Sequence, residues 1–392
     1  MIRKKKSILF VRPDFHCSFF LRDEFRKNGW KADIYVQSDY PNHLLYCQED
    51  ILRAPLHIEN STQSKFLMLI NEVTLAMWWH FRFLRYEYHL YYGRPPIFFN
   101  FLERIGFLNR LFKKGFLWEL WIAKKLGIKL LYIPTGCHDN DLKITWSEFD
   151  GGSVCGNCGF SERCDDNANA LNFSRVNRFF SFAIGNDAEA KKSKEIVEKI
   201  IKYKSIDLNL WAPDIDIPEE HRLDTTSNIR ILHGSQLSKS GRLQGGKNIK
   251  GSPFVLEAIE KLQAEGFPVE YLYIDDKASS HMRYYQAQAD IVVEQLIYGW
   301  WGSTAVEAAA LGKPVVCYLR PSWKNAFFKN FPEYESLPIV EANTRTIYDV
   351  LKSLVVDSRL RKMRGAESRR FAERHFDPRR NAHSLIRLLE SI

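Results

Sequence analysis

The chain has 392 residues, a length that suits two ordinary domains better than one. Its 45% hydrophobic and 26% charged content is that of a globular protein and excludes disorder or collagen-like repetition. Lys plus Arg outnumber Asp plus Glu by 56 to 47, a net charge of +9. That balance favours anionic partners: phosphate-bearing ligands, nucleic acid or an anionic membrane surface. No run is long and apolar enough for a transmembrane helix; the nearest, Phe66 to Trp79, is short and contains Glu72. The basic start, Met1 to Lys6, is followed by a short strand-like run rather than the apolar core of a signal peptide. Seven unevenly spaced cysteines, without such a signal, point to reduced thiols in the cytoplasm.

In chain order, Ser7–Arg12 and Ala32–Gln37 read as strands, with a helix over Phe19–Lys27 closed by Asn28-Gly29. This strand–helix–strand unit seeds a parallel sheet. A long helix is expected from Lys65 to Arg85, a strand over Tyr86–Tyr92, and a helical stretch from Phe101 to Lys125 interrupted near Gly106 and Gly115. Ile128–Pro134 and Phe179–Ile184 read as strands. Between them, Thr135 to Asn172 is rich in Gly, Asp, Asn and Cys and reads as a long functional or locally constrained loop. Ile206 to Asn228, with two prolines and many acids, reads as an interdomain linker.

After the linker the alternation restarts. Strands are expected at Ile229–His233, Val269–Ile274, Asp290–Val293 and Pro314–Tyr318. Helices are expected at Pro253–Glu265, His281–Ala289 and Ser303–Leu311, then two or three more from Thr346 onward. Each half thus repeats a Rossmann-like α/β architecture.

The most informative segment is Ala289 to Leu319, a strand, a glycine-bearing loop, a short helix, Gly-Lys-Pro and a second buried strand. Gly299 and Gly302 let the backbone approach a ligand closely. Ser303 and Thr304 open the helix, where free N–H groups suit a phosphate or diphosphate. Glu307 lies one turn further in. It is either a ribose ligand, accepting both hydroxyls, or an early-helix acid favoured by the dipole. Earlier, Ile231-Leu232-His233-Gly234-Ser235 ends a strand, and Lys250-Gly251 precedes a helix.

These motifs resemble the donor-sugar site of the retaining GT-B glycosyltransferases, glycosyltransferase family four in particular. The resemblance is specific over residues 229–320 and diffuse before residue 120. It implies an α/β fold of two Rossmann-like domains facing a cleft, with the C-terminal helix crossing back to the first. The implied domains are residues 1–206 for the acceptor, carrying a Cys-rich insertion at 135–172; 207–375 for the nucleotide sugar; and a final helix over 376–392.

The donor site implied is Gly234, Ser235, Arg242, Lys247, Lys250, Gly302, Ser303, Thr304 and Glu307. Glu307 would hold the ribose, and Lys250 with the helix start would hold the diphosphate. Fixed cations would take the place of a catalytic divalent metal. The family's second glutamate, eight residues earlier, is here Gly299; Glu294 and Gln295 lie nearby but out of that register.

The cysteines Cys137, Cys155, Cys158 and Cys164 have metal-ligand spacing, with Cys155-Gly-Asn-Cys158-Gly as a tight turn. Four thiolates close a tetrahedral structural zinc site; free thiols, a disulfide or an iron–sulfur cluster are the alternatives. His138 and Asp139, with Asp141, follow a strand end and are the acceptor-side catalytic candidates, unless this His is a solvated loop residue. Residues 78 to 121 hold 16 aromatics with seven basic residues and three acids. That mixture suits an interfacial face on anionic lipid, a single-strand nucleic-acid groove, or a helix packed on the sheet with a solvated basic edge.

The expected activity is hexosyl transfer from a nucleotide diphosphate sugar to a glycan or lipid-linked acceptor in surface polysaccharide or glycoconjugate synthesis. The expected place is the cytoplasm, peripheral on the inner face of the membrane, with no nucleic-acid partner. The rivals are a nucleotide-sugar epimerase on the same architecture and a non-catalytic, basic, zinc-containing binding protein.

Overall fold

The computed structural model describes residues 6–13, 16–37, 46–47, 50–53, 65–98, 110, 116–133, 153–159, 166–183, 204–233, 248–274 and 277–391. The chain divides into two compact units. One comprises Met1–Leu142, Asp165–Ile200 and Ala382–Ile392; the other comprises Lys143–Cys164 and Ile201–Asn381.

The first unit carries a six-stranded sheet of β1 (Ser7–Val11), β2 (Lys31–Val36), β3 (Ile51–Arg53), β4 (Tyr88–Tyr92), β5 (Lys129–Ile133) and β6 (Phe182–Ala183). The order is β3-β2-β1-β4-β5-β6 and every pair is parallel. Central strand β1 is buried along its whole length, as a parallel strand covered on both faces must be. Its alternate residues divide between the faces. Leu9 and Val11 join Tyr35, Tyr91, Leu130 and Tyr132 in one cluster. Phe10 meets Phe25 of the helix Cys17–Lys27 edge-on at 5.7 Å. The helices Lys65–Phe83, Trp118–Lys125 and Asp166–Phe179 all pack on the first of these clusters, through Trp79 and Phe83, Leu120 and Ala123, and Val176 and Phe179. The helix Pro378–Ser391 returns its last residues to this unit, where Tyr88 Oη donates to the Leu389 carbonyl at 3.0 Å.

The second unit holds β7 (Ile229–His233), β8 (Val269–Leu272), β9 (Ile291–Val293), β10 (Val315–Cys317) and β11 (Val340–Glu341). They form a parallel sheet in the order β11-β10-β9-β7-β8. Strand order therefore reverses between β7 and β9, the topological switch point outside whose carboxyl ends open α/β sheets bind ligands. Val255, Ile259 and Leu262 of the helix Ser252–Ala264 and Leu351 and Leu354 of the helix Ile347–Val356 pack with Ile231, Ile291 and Val316 of the sheet.

Several expectations are corrected. The stretch read as a loop to Asn172 is helical from Asp166, because Asn172, Val176 and Phe179 share one buried face at helical spacing. Asn172 Nδ2 donates there to Tyr132 Oη at 3.0 Å. Of the strand read over Phe179–Ile184, Phe179 instead ends that helix and the described strand is Phe182–Ala183, Ile184 lying outside the described residues. Strands β3 and β11 were not foreseen, being three and two residues long, too short for a period to register. The helix Pro321–Asn330 was also missed, although Pro sits in its first turn, where its fixed φ suits a helix start. The aromatic-rich stretch is in large part core. Trp79, Phe83, Tyr86, Tyr88, Tyr91, Tyr92, Phe98 and Phe116 are buried.

Candidate functional site

The carboxyl ends of β7 and β9 gather the described part of the candidate donor site. His233 ends β7 fully buried. Its Nδ1 lies 2.8 Å from the Val293 carbonyl and its Nε2 2.8 Å from Ser252 Oγ. A carbonyl only accepts, so Nδ1 carries the proton and Nε2 accepts from the serine. Burial pushes the imidazole down to about 4, so it is neutral at physiological pH. This neutral ring ties β7, the end of β9 and the start of the Ser252 helix together.

Lys250 precedes that helix in a turn organised by Asn248, whose Oδ1 accepts from the N–H groups of Lys250 (3.1 Å) and Ser252 (3.2 Å). Gly251 then takes φ +79°, and a Cβ there would stand 3.0 Å from the Leu296 side chain, so glycine is required twice over. The Lys250 carbonyl accepts from Leu296 N–H at 2.9 Å. These bonds hold the Lys250 side chain beside the segment that leaves β9.

That segment begins with Glu294, a buried carboxylate. Its Oε2 accepts from the Ala305 N–H at 2.7 Å, and its Oε1 lies 3.6 Å from Lys250 Nζ. Glu294 thus occupies part of the amide cradle at the start of the helix Ser303–Ala310 and faces the lysine expected to meet a diphosphate. Gly302 allows this approach, since a Cβ there would lie 3.2 Å from Glu294 Oε1. The Ser303 side-chain oxygen is buried with no hydrogen-bond partner among the described residues, an unusual state for a buried hydroxyl. Thr304 is half-buried beside it.

Glu307 lies one turn further in and is buried. Gln286 of the helix Met282–Ala287 donates from Nε2 to its Oε2 at 2.5 Å. Burial raises the Glu307 carboxyl to about 8, and the nearby Glu294 pushes the same way, while Gln286 and Lys250 oppose. A solvated surface acid would show none of this, so Glu307 is a buried polar group and not an early-helix ornament.

Gly299 has φ +84°, and a Cβ there would meet the Arg320 side chain at 3.0 Å and its backbone N at 3.2 Å. A glutamate of the family's second kind has neither the backbone conformation nor the room. Arg320 itself is fully buried, with its guanidinium carbon 3.1 Å from the centroid of the Trp323 ring.

The structure therefore brings together Lys250, Gly302, Ser303, Thr304 and Glu307, and adds Glu294, Gln286 and His233. Glu294 carried a sequence signal, an acid at a strand end beside the glycine loop. Gln286 carried none, because nothing in its helix distinguishes it from a surface glutamine. Gly234, Ser235, Arg242 and Lys247 lie outside the described residues, as do His138, Asp139 and Asp141. Of the candidate zinc ligands, Cys137, Cys164 and the Cys155 side chain also lie outside them. Cys158 is described as a buried free thiol that follows a helical turn over Ser153–Gly156. Among the described residues, no three His, Cys, Asp or Glu side chains converge as a metal site.

No known protein family's sequence profile matches the chain, and no curated protein matches it in sequence. Solved structures do match it over nearly its whole length. A sucrose-phosphate synthase of Thermosynechococcus elongatus aligns over 99% of both chains, at 12% identity and a TM-score of 0.60. HepE of Anabaena, solved with UDP and glucose, aligns over 99% of this chain and 100% of its own, at 13% identity and a TM-score of 0.56. A UDP-GlcNAc 2-epimerase of Neisseria meningitidis, solved with UDP-GlcNAc, aligns over 99% and 100%, at 11% identity and a TM-score of 0.51. At such identities the likeness is one of architecture: the chain has the α/β fold of the GT-B class, with two parallel-sheet Rossmann-like units and a C-terminal helix whose last residues belong to the first.

Proposed function

We propose that this chain is a glycosyltransferase that moves a hexosyl unit from a nucleotide diphosphate sugar to a glycan or lipid-linked acceptor, with retention of anomeric configuration. The observation that carries this reading is Glu307, buried one turn inside a helix start at the β7/β9 switch point, with Lys250 at the same strand ends. A carboxylate so placed accepts the two ribose hydroxyls of a nucleotide, while the Ser303 hydroxyl and the amides ahead of it face a diphosphate. As the glycosidic bond breaks, negative charge collects on the leaving diphosphate, and the Lys250 ammonium stabilises it. HepE, solved with UDP and glucose, supports a nucleotide-sugar donor. His138 and Asp139 are proposed on the acceptor side, and Arg242 and Lys247 as further diphosphate cations, on sequence alone. Surface polysaccharide or glycoconjugate synthesis at the cytoplasmic face of the membrane is proposed as the setting.

Thermal-shift screening of nucleotide sugars is expected to single out one donor, because a specific ligand raises apparent stability by mass action. Calorimetry with that donor on Glu307→Ala is then expected to show affinity about tenfold to a hundredfold lower, the worth of hydrogen bonds to a charged group. Unchanged affinity refutes the ribose assignment. The likeness to the Neisseria epimerase favours epimerisation as the second reading, which acceptor-free conversion of the donor to its epimer would establish.

A further inference from the structure

The helices Lys65–Phe83 and Trp118–Lys125 pack on one face of the first unit's sheet through Trp79, Phe83, Leu120 and Ala123. Right-handed crossovers place the β3–β4 and β4–β5 connections on the same side, so the outer faces of both helices look away from that sheet. Those outer faces are apolar as well. On the longer helix Ile70, Val73, Met77 and Phe81 are exposed, Met77 by 56% and Phe81 by 59%. Their spacing of three, four and four residues makes one stripe, roughly 16 Å long at helical rise. On the shorter helix Trp121 is exposed, and Leu126 just beyond its end is 62% exposed. Scattered exposed apolar residues need no explanation, but a continuous stripe does.

The exposed ionisable side chains described on the two helices are all basic. Both helices contain acids, Glu72 and Glu119, and both acids are buried. On the helices themselves the exposed ionisable side chains described are His80, Arg82, Lys124 and Lys125; past the end of the longer helix, Arg85 and Glu87 are both exposed and offset one another.

We propose that this face is a docking surface for an anionic phospholipid bilayer, with the Ile70–Phe81 stripe entering the headgroup–acyl boundary and the cations meeting lipid phosphates. Apolar residues with cations, and no exposed carboxylate described on either helix, match the chemistry of an interfacial helix. A second copy docked through the same face would oppose cation to cation. A specific protein partner needs about one hydrogen bond per 100–200 Å², whereas the exposed Thr74 within the stripe donates its hydroxyl to the Ile70 carbonyl of its own helix at 2.8 Å. No described helix is long and apolar enough to cross a membrane, so the contact is one of lying on the surface.

The test is flotation of the full chain with vesicles of phosphatidylcholine plus roughly 30% phosphatidylglycerol, against phosphatidylcholine alone. Binding is expected to the anionic vesicles at about 0.1 M salt and to fall several-fold at about 0.5 M. Met77→Ser with Phe81→Ser is expected to lower the partition at least about tenfold, with its circular dichroism and melting temperature unchanged because both side chains are exposed. Arg82→Glu with Lys125→Glu, the second variant, is expected to abolish the preference for anionic vesicles and leave the fold intact. Absence of flotation at low salt overturns the proposal. So does flotation that neither variant alters, or a dimer in sedimentation velocity that the serine variant dissolves while vesicles remain unbound.

Discussion

Glu307 makes the candidate donor site sensitive to pH, with opposite signs for folding and for binding. Its carboxyl rises from an ordinary value of 4.5 to about 8. The stability this confers belongs to the neutral acid. It is complete below about 4.5 and is lost as pH rises through about 8. Ribose hydroxyls, however, need the ionised carboxylate as acceptor. Affinity for the donor's nucleotide diphosphate is therefore expected to increase between about pH 7 and 8.5, and Glu307→Gln is expected to flatten that dependence. Calorimetric titrations across the range check it, and parallel profiles for the two proteins would refute it. Glu294 raises a separate question, since its carboxylate faces Lys250 and takes an amide of the helix start. An anion entering that space is repelled by it, so Glu294→Gln is expected to bind the nucleotide diphosphate several-fold more tightly. Equal affinity would show that carboxylate and diphosphate do not share the cradle. Lys250 and Glu307 were legible in the sequence because each sits in a motif of fixed spacing. Glu294 stands 44 residues from Lys250 and Gln286 stands 21 from Glu307, pairings that only chain folding creates.

The element that fixes the Ser303 helix is the helix Ser358–His375. Arg369 donates to the carbonyls of Trp211 (2.8 Å) and Ala310, the latter an otherwise open group at the end of the Ser303 helix. Gly365 lets the two approach, for a Cβ there would lie 2.2 Å from the Gly312 carbonyl oxygen. That atom is backbone and cannot swing aside, so Gly365→Ala is expected to destabilise the protein by about 1–3 kcal/mol, read as a lower denaturant midpoint. A midpoint equal to the parent's would mean the helix tolerates displacement. Long periodic helices and buried parallel strands were readable in advance because their patterns span several turns or a full apolar run. The helix Asp166–Phe179 was hidden by the Asn-rich composition of its first turns. Its buried Asn172 donates to Tyr132 on a neighbouring strand.

Across the whole molecule, the two proposals fall in different units. The proposed donor site lies in the second unit, so hydrogen exchange with bound nucleotide is expected to slow in peptides covering 248–252 and 299–307 and to leave β1, β4 and β5 unchanged. Slowing confined to the first unit would move the donor site there. The excess charge divides too. Residues 251–300 hold three basic and eight acidic residues, whereas 351–392 hold eleven basic and five acidic. The +9 is therefore not a uniform coat for nucleic acid.

The sequence by itself determined the alternation of strands and helices, the repeat of that alternation in two halves, and the glycine loop with its helix and glutamate. These features are periodic or contiguous, and local physics fixes them. The tertiary structure decided which sides of the aromatic helices are core and which are bare, because periodicity marks an apolar face without saying what covers it. It also decided that Glu294 takes an amide of the helix start while facing Lys250, and that Gly299 leaves no space for a glutamate. Those outcomes depend on which residues distant in the chain arrive at the same strand ends.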